Sequence, residues 1–549
     1  MMPWREFYQP GVPHSLEYPE RNGFWILEHG SSLSPRGVAL RFYGRSTHYD
    51  ELREASLRLA GGLKGLGIKE GERVALLLPN SPPYPISYFA TLALGAVVVQ
   101  LNPLYTAHEV ESLLEDSGSN TVITLSPLLE KVAPALKKGI LKRVILAPLQ
   151  DYLPAGLGIL FRLKCLKERG RYKELREKLL SFRGLMERPP IPPNEEIDPR
   201  SHPAVLQYTS GTTGTPKAVI LTHYNIVANA MQLRAWGPQI EDGKEVILCV
   251  IPFFHAYGMS AAMNAGLYMG ARLVLMPRFD PQKAIETIRR EGVTMLPGIP
   301  TLYSALITAA KERQVRLPTV RTCISGGATL PEEVAVGMEE MIGGMVVEGY
   351  GLSEASPVTH ANPLNEGRRF GSIGIPLPDT EARIVDPATG EPLPPNRIGE
   401  LVVKGPQVMK GYWKREEETR ETLRDGWLYT GDLARMDEEG FFYLDERKKD
   451  IIISGGYNIS PREVEDVLLR HPDVLEAAVV GVENPEKGEV PQAHLVTRQE
   501  VSQDEIVQFC RKRLAPFKVP KSVVFHRELP KNMLGKVLKK ELKAQKRTR

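Results

Sequence analysis

Residues 208–217 read Tyr-Thr-Ser-Gly-Thr-Thr-Gly-Thr-Pro-Lys, and they follow the short apolar segment 204–206. This stretch brings five Ser/Thr hydroxyls, two glycines and one lysine together. Glycine lets backbone N–H groups approach an anion closely, hydroxyls donate further hydrogen bonds, and a lysine ammonium makes charge-assisted contacts to phosphate oxygens. The stretch therefore predicts a loop that binds a polyphosphate.

A Walker A loop and an ordinary surface loop are the alternatives for this stretch. A Walker A loop ends in Gly-Lys-Ser/Thr and continues as a helix. Here Pro216 precedes Lys217 and Ala-Val-Ile follows it, so the Walker A reading fails. A Ser/Thr/Gly-rich surface loop fits the composition equally well. Only the rest of the chain argues against it.

Short apolar runs alternate with helical patterns in the middle of the chain. Strands are predicted at residues 247–252, 271–276, 293–296, 322–324 and 345–348. Asp280 and Pro281 predict a helix start, and Gly292 predicts its end. This order is typical of a layered α/β architecture with parallel strands, in which ligands bind at the carboxyl ends of the strands. Glycine-bearing loops follow two of the strands, so a nucleotide is expected there.

Bulk properties predict a cytoplasmic protein of more than one domain. A chain of 549 residues exceeds a single core, which stops growing near about 250 to 300 residues. The four cysteines are far apart without a Cys-x-x-Cys spacing, so neither a zinc site nor a disulfide framework is expected. The first residues lack the apolar core of a signal peptide. We expect no nucleic-acid partner.

Residues 157–188 form a strongly basic insert, within the region of about 151–200. They contain ten basic and four acidic residues, interleaved with leucine and phenylalanine. This composition is typical of a basic amphipathic helix. Two interpretations stay open: a solvated helix packed on the body of the protein, and a helix that contacts an anionic membrane surface.

Further segments resemble motifs of the acyl-adenylate-forming superfamily, the AMP-dependent synthetases. These segments are 252–258, 324–328, 348–357, 427–432, 446–450, 454–458, 461–465 and 534–536. Together with 208–217 they extend over nearly the whole chain, and the likeness is greatest to bacterial long-chain fatty-acid CoA ligases. The resemblance implies a large layered α/β domain, residues 1–446, and a small mobile α+β lid domain, residues 447–549.

The resemblance also implies the reaction. A long-chain fatty acid attacks ATP to give acyl-AMP and pyrophosphate, and CoA then takes the acyl group. Because one anion attacks another, the site needs Mg²⁺ and cationic donors. The expected partners are thus fatty acid, ATP and CoA, with peripheral contact to an anionic membrane as a further possibility, in a monomer or a homodimer.

Residue roles are carried over from the family's motifs to the matching positions. Lys536 would bridge the α-phosphate and the attacking carboxylate, with His255 and Lys217 also in catalytic positions. Glu354 and Thr209 would hold Mg²⁺. Tyr350 would stack on adenine, and Asp432 would accept hydrogen bonds from the ribose. The ATP/AMP-binding set is Thr209, Ser210, Gly211, Thr212, Thr213, Gly214, Lys217, Gly327, Ala328, Glu348, Gly349, Tyr350, Gly351, Ser353, Asp432, Arg447, Lys449 and Lys536.

Two further groups of residues follow from the same motifs. His255, Tyr257 and Gly258 would line the acyl site, with His255 as a positioner. Gly455, Gly456 and Tyr457 would line the path of CoA, and Lys449 would be the hinge about which the small domain swings between the two steps. By sequence alone His255 could equally be a core histidine; the alternatives for Lys536 and Glu354 are a surface lysine and a partner in a structural ion pair.

Three functions are compatible with these motifs. The first is long-chain acyl-CoA ligation. The second keeps the adenylate chemistry with another acid or acceptor: a medium-chain or aryl CoA ligase, an acyl-AMP ligase serving a carrier protein, or a luciferase-like oxygenase. The third is a non-catalytic nucleotide or fatty-acid sensor, against which Glu354, Asp432 and Lys536 together argue. Acyl chain length cannot be read from the motifs.

Overall fold

A computed structural model describes residues 2–209, 216–447, 450, 452–454, 457–484, 488–514, 516–531, 535 and 537–544. Within these residues the strands, β1 to β27 in chain order, are Val38–Phe42, Arg45–His48, Arg73–Leu77, Val97–Gln100, Thr121–Thr124, Arg143–Leu146, Leu179–Ser181, Pro203–Thr209, Lys217–Thr222, Val246–Cys249, Arg272–Leu275, Met295–Gly298, Thr322–Ser325, Met345–Gly351, Val358–Ala361, Ile375–Pro376, Glu381–Val385, Gly399–Lys404, Gly411–Tyr412, Leu423–Arg424, Trp427–Met436, Phe442–Arg447, Ile452–Ser454, Tyr457–Ile459, Val474–Asn484, Gly488–Thr497 and Ser522–Phe525.

The helices in the same part of the chain, α1 to α16, are Trp25–Leu33, Tyr49–Gly65, Pro83–Ala93, Ala107–Ser117, Leu129–Lys137, Ala155–Arg171, Phe182–Met186, His223–Trp236, Ala265–Tyr268, Pro281–Glu291, Pro300–Arg313, Glu332–Glu339, Glu416–Thr422, Pro461–Leu469, Gln503–Arg511 and Lys539–Ala544. A π-helix spans Gly258–Asn264. Short 3₁₀ turns include Ser126–Leu128, Leu149–Tyr152, Lys173–Lys178 and Ser353–Ala355.

Two large sheets form the body of the protein. Sheet 1 has the strand order β16-β15-β14-β13-β12-β10-β11-β1-β2, and its central strands from β14 to β1 are parallel. Sheet 2 has the order β19-β9-β8-β4-β3-β5-β6-β7, parallel from β8 to β7. The prediction of a layered α/β body with parallel strands is confirmed, and all five predicted strands belong to the parallel part of sheet 1.

Two smaller sheets complete the described structure. Sheet 3 is antiparallel, with the order β17-β18-β21-β20 and β22 paired to β21. Sheet 4 follows it in the chain, with the order β24-β23-β26-β25 and β27 parallel to β26. Helices α14 and α15 pack with sheet 4, which gives the small α+β unit that the sequence predicts after residue 450.

The predicted helix over residues 281–291 shows why local signals succeed. The Asp280 side chain accepts a hydrogen bond from the Lys283 backbone N–H at 2.9 Å, and Pro281 opens the helix. Gly292 ends it with φ +64°, a conformation that glycine adopts at little cost. Start and end of α10 are therefore fixed by residues within the helix and beside it, as predicted.

The basic segment 157–188 differs from a single helix. Helix α6 covers its first half and ends at Arg171. A 3₁₀ turn follows, and then β7 adds a parallel strand to β6 at the edge of sheet 2. Sheet pairing of Leu179 and Leu180 thus replaces the continuation of the helix. No helix among the described residues has both the length and the apolar composition needed to cross a membrane.

Apolar packing divides the described chain at one place. Three clusters of buried side chains draw only on residues up to Phe442. Two others draw only on residues from Ile452 to Leu542. A polar contact joins the two parts: the Arg462 guanidinium donates to the Leu444 carbonyl at 2.8 Å.

Candidate active site

The carboxyl ends of β12, β13 and β14 meet at one edge of sheet 1, because these strands are parallel neighbours. Gly327 follows β13 with φ +80°, so it turns the chain sharply away from the sheet. The adjacent Gly326 lies against the Tyr257 ring and near the Gly349 carbonyl, at 3.3 Å and 3.7 Å from a Cβ built on it. This edge therefore brings the predicted nucleotide loops 326–328 and 349–351 together.

Tyr350 and Asp432 form a buried pair at the same edge. The Tyr350 hydroxyl donates to Asp432 Oδ2 at 2.6 Å, although the two residues belong to sheets 1 and 3. Arg447 lies opposite Asp432 in the β21–β22 register. The three predicted nucleotide residues are thus neighbours, with the Tyr350 ring held by a bond to the carboxylate that is expected to bind ribose.

Glu348 is buried beside them at the end of the parallel part of β14. Its Oε2 accepts a hydrogen bond from the Leu330 N–H at 3.1 Å. Burial raises the pKa of Glu348 to about 8, against the opposing effects of the Leu330 bond and the nearby Arg462. At neutral pH this carboxyl group is mostly protonated and can donate a hydrogen bond, a property that the sequence did not reveal.

Strands β8 and β9 bracket the predicted phosphate loop. Thr209 ends β8 and Lys217 begins β9, and the two are antiparallel partners, with the Thr209 hydroxyl 3.4 Å from the Lys217 carbonyl. Residues 210–215, including Ser210, Gly211, Thr212, Thr213 and Gly214, lie outside the described residues. Because the lysine starts a strand and not a helix, the structure agrees with the rejection of a Walker A loop.

Lys217 belongs to a polar cluster around Tyr412. Its ammonium lies 5.4 Å from the centre of the Tyr412 ring and 3.8 Å from Glu418 Oε1. The Tyr412 hydroxyl donates to Glu354 Oε1 at 2.8 Å. Burial and the neighbouring Glu354 raise the pKa of Tyr412, so its hydroxyl keeps its proton and stays a donor. Tyr412 thus orients the Glu354 carboxylate through its hydroxyl and faces the Lys217 ammonium with its ring.

Glu354 lies in the 3₁₀ turn Ser353–Ala355, which packs against β9. Within the described part of the chain its Oε2 accepts no hydrogen bond and takes part in no ion pair. Ser353 is half-buried at the start of the same turn. The turn directly follows β14, so it places a carboxylate with one available oxygen at the carboxyl edge of sheet 1 and against β9 of sheet 2, the strand that Lys217 begins.

His255 stands in the loop that precedes the π-helix. Its Nδ1 accepts a hydrogen bond from the Tyr257 N–H at 3.2 Å, and burial lowers the pKa of His255 to about 4. The ring is therefore neutral at pH 7, with its proton on Nε2. A neutral imidazole in this tautomer can donate a hydrogen bond from Nε2, which suits a positioning role better than that of a general base.

Tyr257 and Gly258 fix this segment to sheet 1. The Tyr257 hydroxyl donates to the Ile324 carbonyl at 2.6 Å, at the end of β13. A Cβ on Gly258 would lie 2.2 Å from the Pro252 carbonyl oxygen, so only glycine fits. The three predicted acyl-site residues are thus held next to the loop of Gly326, and the buried π-helix leads from them into the core.

The turn before Lys536 docks on the same edge of sheet 1. Gly535 has φ +73°, and a Cβ on it would lie 2.7 Å from the Thr301 hydroxyl oxygen at the start of α11. Thr301 follows β12, whose carboxyl end belongs to that edge. Lys536, Lys449, Gly455 and Gly456 lie outside the described residues, and only the backbones of Arg447 and Tyr457 are described.

Tyr412, Glu418, Thr301 and Arg462 are the site neighbours that sequence reasoning missed. Tyr412 reaches Lys217 because β19 pairs with β9, a contact between segments far apart in the chain. Thr301 reaches Gly535 through the packing of the small unit on α11. No local feature of the sequence marks Tyr412 or Thr301 for these contacts. Gly411, next to Tyr412, could have indicated a tight approach of the backbone there.

Comparison with known proteins agrees with these observations. Residues 27–413 match the family model described as AMP-binding enzyme, and residues 463–536 match the AMP-binding enzyme C-terminal domain. A long-chain-fatty-acid–CoA ligase of Bacillus subtilis is 43% identical over 544 residues, covering 98% of this chain and 97% of that protein.

Solved structures extend the likeness to the fold. ATP-bound MatB from Rhodopseudomonas palustris superposes with a TM-score of 0.82 at 29% identity, over 95% of this chain and 99% of that one. O-succinylbenzoate coenzyme A synthetase (MenE) from Bacillus subtilis, in complex with ATP and magnesium ion, gives a TM-score of 0.77 at 32% identity, over 94% and 99% of the two chains. The resemblance inferred from the motifs is confirmed, and the chain belongs to the AMP-binding enzyme family, within the acyl-adenylate-forming superfamily.

Proposed function

We propose that this enzyme activates a long-chain fatty acid with ATP and transfers the acyl group through acyl-AMP to CoA, giving acyl-CoA, AMP and pyrophosphate. One observation carries the proposal: the Tyr350–Asp432 pair, the Glu354 turn and the Gly535 turn all lie at the carboxyl edge of sheet 1. The Tyr350–Asp432 pair suits a nucleoside, and the Glu354 turn suits a metal-bound triphosphate. The Gly535 turn would bring Lys536 to both. The full-length likeness to a long-chain-fatty-acid–CoA ligase supports the choice of acid.

The nucleoside would bind between sheets 1 and 3. Asp432 would accept hydrogen bonds from the ribose hydroxyls, with Arg447 opposite it in the β-ladder. The Tyr350 ring would stack on adenine while its hydroxyl holds Asp432. Glu348, protonated at neutral pH, would contribute a neutral group near the base, and the loop of Gly327 and Ala328 would line the pocket.

Mg²⁺ would be held by Glu354 and Thr209. A carboxylate and a hydroxyl are ligands of the kind that this hard cation takes, and it keeps water and phosphate oxygens in its other positions. The residues fit, because Tyr412 satisfies one oxygen of Glu354 and the second oxygen is available. The metal would neutralise charge on the phosphates during attack. Lys217 would add a second cation on the side of the phosphate loop.

In the first step the fatty carboxylate would attack the α-phosphorus, with pyrophosphate leaving. Lys536 would pair with the α-phosphate and with the carboxylate, which offsets the repulsion between the two anions. His255 would donate from Nε2 and so position the acyl group. The acyl chain would extend past Tyr257 and Gly258 along the π-helix.

In the second step the CoA thiol would attack the acyl-AMP carbonyl and release AMP. We propose a small domain of residues 447–549 that turns about Lys449 and removes Lys536 from the site, while the segment of Gly455, Gly456 and Tyr457 admits pantetheine. The separation of packing clusters between Phe442 and Ile452 supports such a division, because a turn there exposes no shared core. Four free, buried cysteines suit work in a reducing cytoplasm.

The decisive experiment is a panel of C2 to C20 acids, offered with ATP, Mg²⁺ and CoA and scored for AMP release. We expect the highest kcat/KM with long chains. Preference for an aryl acid would instead place the enzyme with relatives such as o-succinylbenzoate coenzyme A synthetase. Absence of AMP release with every acid would overturn the assignment as a ligase.

A companion experiment tests Lys536. Lys536→Ala is expected to lose ATP–pyrophosphate exchange and to keep conversion of synthetic acyl-AMP plus CoA into acyl-CoA. Equal loss of both half-reactions would show that the lysine is structural or that no domain turn separates the steps.

A further inference from the structure

Helix α6, Ala155–Arg171, is a surface helix with exposed apolar side chains, and it packs on the 3₁₀ turns Ser126–Leu128 and Leu149–Tyr152 that follow β5 and β6 of sheet 2. Five of the fourteen large apolar side chains exposed in the described part of the chain lie on it, with 49 to 65% of their surfaces accessible. They are Leu157, Ile159, Leu160, Leu163 and Leu166. Scattered exposed leucines need no explanation, whereas a concentration of this kind marks a surface that binds something.

The apolar side chains point away from the protein. Gly158 and Cys165 are the buried residues of α6, seven positions apart on its inner face. A Cβ on Gly158 would lie 2.9 Å from the Gln150 carbonyl oxygen, so small residues let the helix approach the body. Leu160 lies nearly opposite these two residues, and Ile159, Leu163 and Leu166, spaced by four and three residues, share the face next to it. Apolar side chains therefore lie on the solvent side of α6, where an ordinary surface helix carries polar side chains.

Basic residues flank this outward strip. Five of the residues of α6 are basic and one, Glu168, is acidic. Arg169 is exposed, but its guanidinium donates to the Ser126 hydroxyl at 3.1 Å and is therefore tied to the body of the protein. Lys164 and Lys167 are exposed on either side of Leu160, and Arg162 is exposed beyond Leu166. The helix thus combines an apolar ridge with cations on both flanks.

An anionic bilayer fits this surface better than a second copy of the chain. Two copies of α6 face to face would oppose like charges. A helix of this length is about 25 Å long and about 10 Å wide, so its outer face offers roughly 250 Å², against about 800 Å² per partner in a stable interface. A bilayer needs no matching groove, takes apolar side chains into its headgroup region and attracts cations.

We propose that α6 docks the enzyme on anionic membranes, with Ile159, Leu160, Leu163 and Leu166 inserted among the lipids and Lys164 and Lys167 at the headgroups. Docking itself is independent of the reaction. Its use, the capture of long-chain fatty acid from the bilayer in which it partitions, rests on the proposed function.

Co-sedimentation with vesicles of phosphatidylglycerol and phosphatidylcholine tests the docking. We expect the wild-type enzyme to bind at low salt, to be released as salt rises, and to ignore pure phosphatidylcholine. Lys164→Gln with Lys167→Gln should weaken binding roughly thirtyfold, since each cation near an anionic surface contributes about fivefold. Leu160→Gln with Leu163→Gln should weaken it by a similar factor or more.

Matched controls change exposed apolar residues elsewhere. Leu104→Gln with Ile398→Gln should leave binding unchanged, because these residues are exposed outside α6. All variants should keep wild-type activity on detergent-solubilised acid, and the α6 variants should lose activity only when the acid is presented in anionic vesicles. Lack of detergent activity in the wild type would count against the proposed function and leave the docking result unaffected.

A fluorescent probe identifies the surface directly. All four native cysteines are buried, so a polarity-sensitive dye can be attached selectively at Leu163→Cys. Its emission should shift to the blue with anionic vesicles, and a dye at Leu475→Cys should not respond. A wild-type enzyme that fails to sediment with anionic vesicles at low salt, binding unaffected by the α6 variants, or a blue shift that grows with protein concentration without vesicles would overturn the proposal.

Discussion

Replacing Tyr412 with phenylalanine removes one oxygen, the donor that holds Glu354 in place. The bond is 2.8 Å long, partly buried, and its acceptor is a carboxylate. Hydrogen bonds to charged groups contribute about 1.5 to 3 kcal/mol, which corresponds to roughly 10- to 150-fold in an equilibrium constant. The phenylalanine ring still faces the Lys217 ammonium, so that cation–π contact is kept.

The loss should appear in the metal dependence of the first half-reaction. Residues that orient a metal ligand typically change metal affinity by about 10- to 100-fold when mutated. We therefore expect the Mg²⁺ concentration for half-maximal ATP–pyrophosphate exchange to rise about 10- to 100-fold in Tyr412→Phe. Exchange at saturating Mg²⁺ should recover most of its rate, because Glu354 itself remains.

Tyr443→Phe is the matched control. Its hydroxyl also donates to a carboxylate, that of Asp437 at 3.2 Å, but in the β21–β22 hairpin. The control should keep the wild-type Mg²⁺ requirement. If folded Tyr412→Phe also keeps it, then Tyr412 does not orient a metal ligand and the assignment of Glu354 to Mg²⁺ loses its support.

Three further outcomes are expected. Gly535→Ala should reduce adenylation more than thioester formation, because the added methyl group meets the Thr301 side chain. Adding Thr301→Ala should restore part of the adenylation rate. If it restores none, the positive φ of Gly535 alone accounts for the loss. Burial raises the pKa of Glu348 to about 8 from an ordinary 4.5, so between these pH values the folded apo-enzyme keeps a proton that the unfolded chain releases. The free energy of unfolding therefore falls by up to about 1.4 kcal/mol per pH unit as the pH rises from 4.5 to about 8. The melting temperature of Glu348→Gln relative to wild type should thus be higher at pH 8 than at pH 5, and an equal difference at both would refute the raised pKa. Lys449→Pro fixes φ and restricts the preceding residue, so adenylation should survive while thioester formation falls by orders of magnitude; a parallel decline of both would point to misfolding.

Local chemistry explains what the sequence predicted well. The parallel strands of sheet 1 are short apolar runs between turn residues, and α10 carries its cap at Asp280 and its stop at Gly292. Each of these signals acts within a few residues. The family resemblance assigns roles to Tyr350, Asp432 and Glu354, and the structure brings these residues to one edge of sheet 1.

Contacts between distant segments explain what the sequence could not predict. Tyr412 enters the site through the pairing of β19 with β9, and Thr301 through docking of the small unit. The raised pKa of Glu348 depends on how completely its neighbours exclude water. In α6 the inner face is made by Gly158 and Cys165, so the leucines that a helical pattern would bury are turned outward.

The break in apolar packing between Phe442 and Ile452 has a consequence for how the protein unfolds on heating. The buried apolar clusters on the two sides of the break share no residue, and the hydrogen bond from Arg462 to the Leu444 carbonyl crosses it. Unfolding of the residues from Ile452 onward would therefore leave the nucleotide pocket folded. The partly unfolded enzyme would still bind ATP but would lack the folded turn before Lys536. Heating would therefore first produce inactive, ATP-bound enzyme, and the residues up to Phe442 would unfold and aggregate only later.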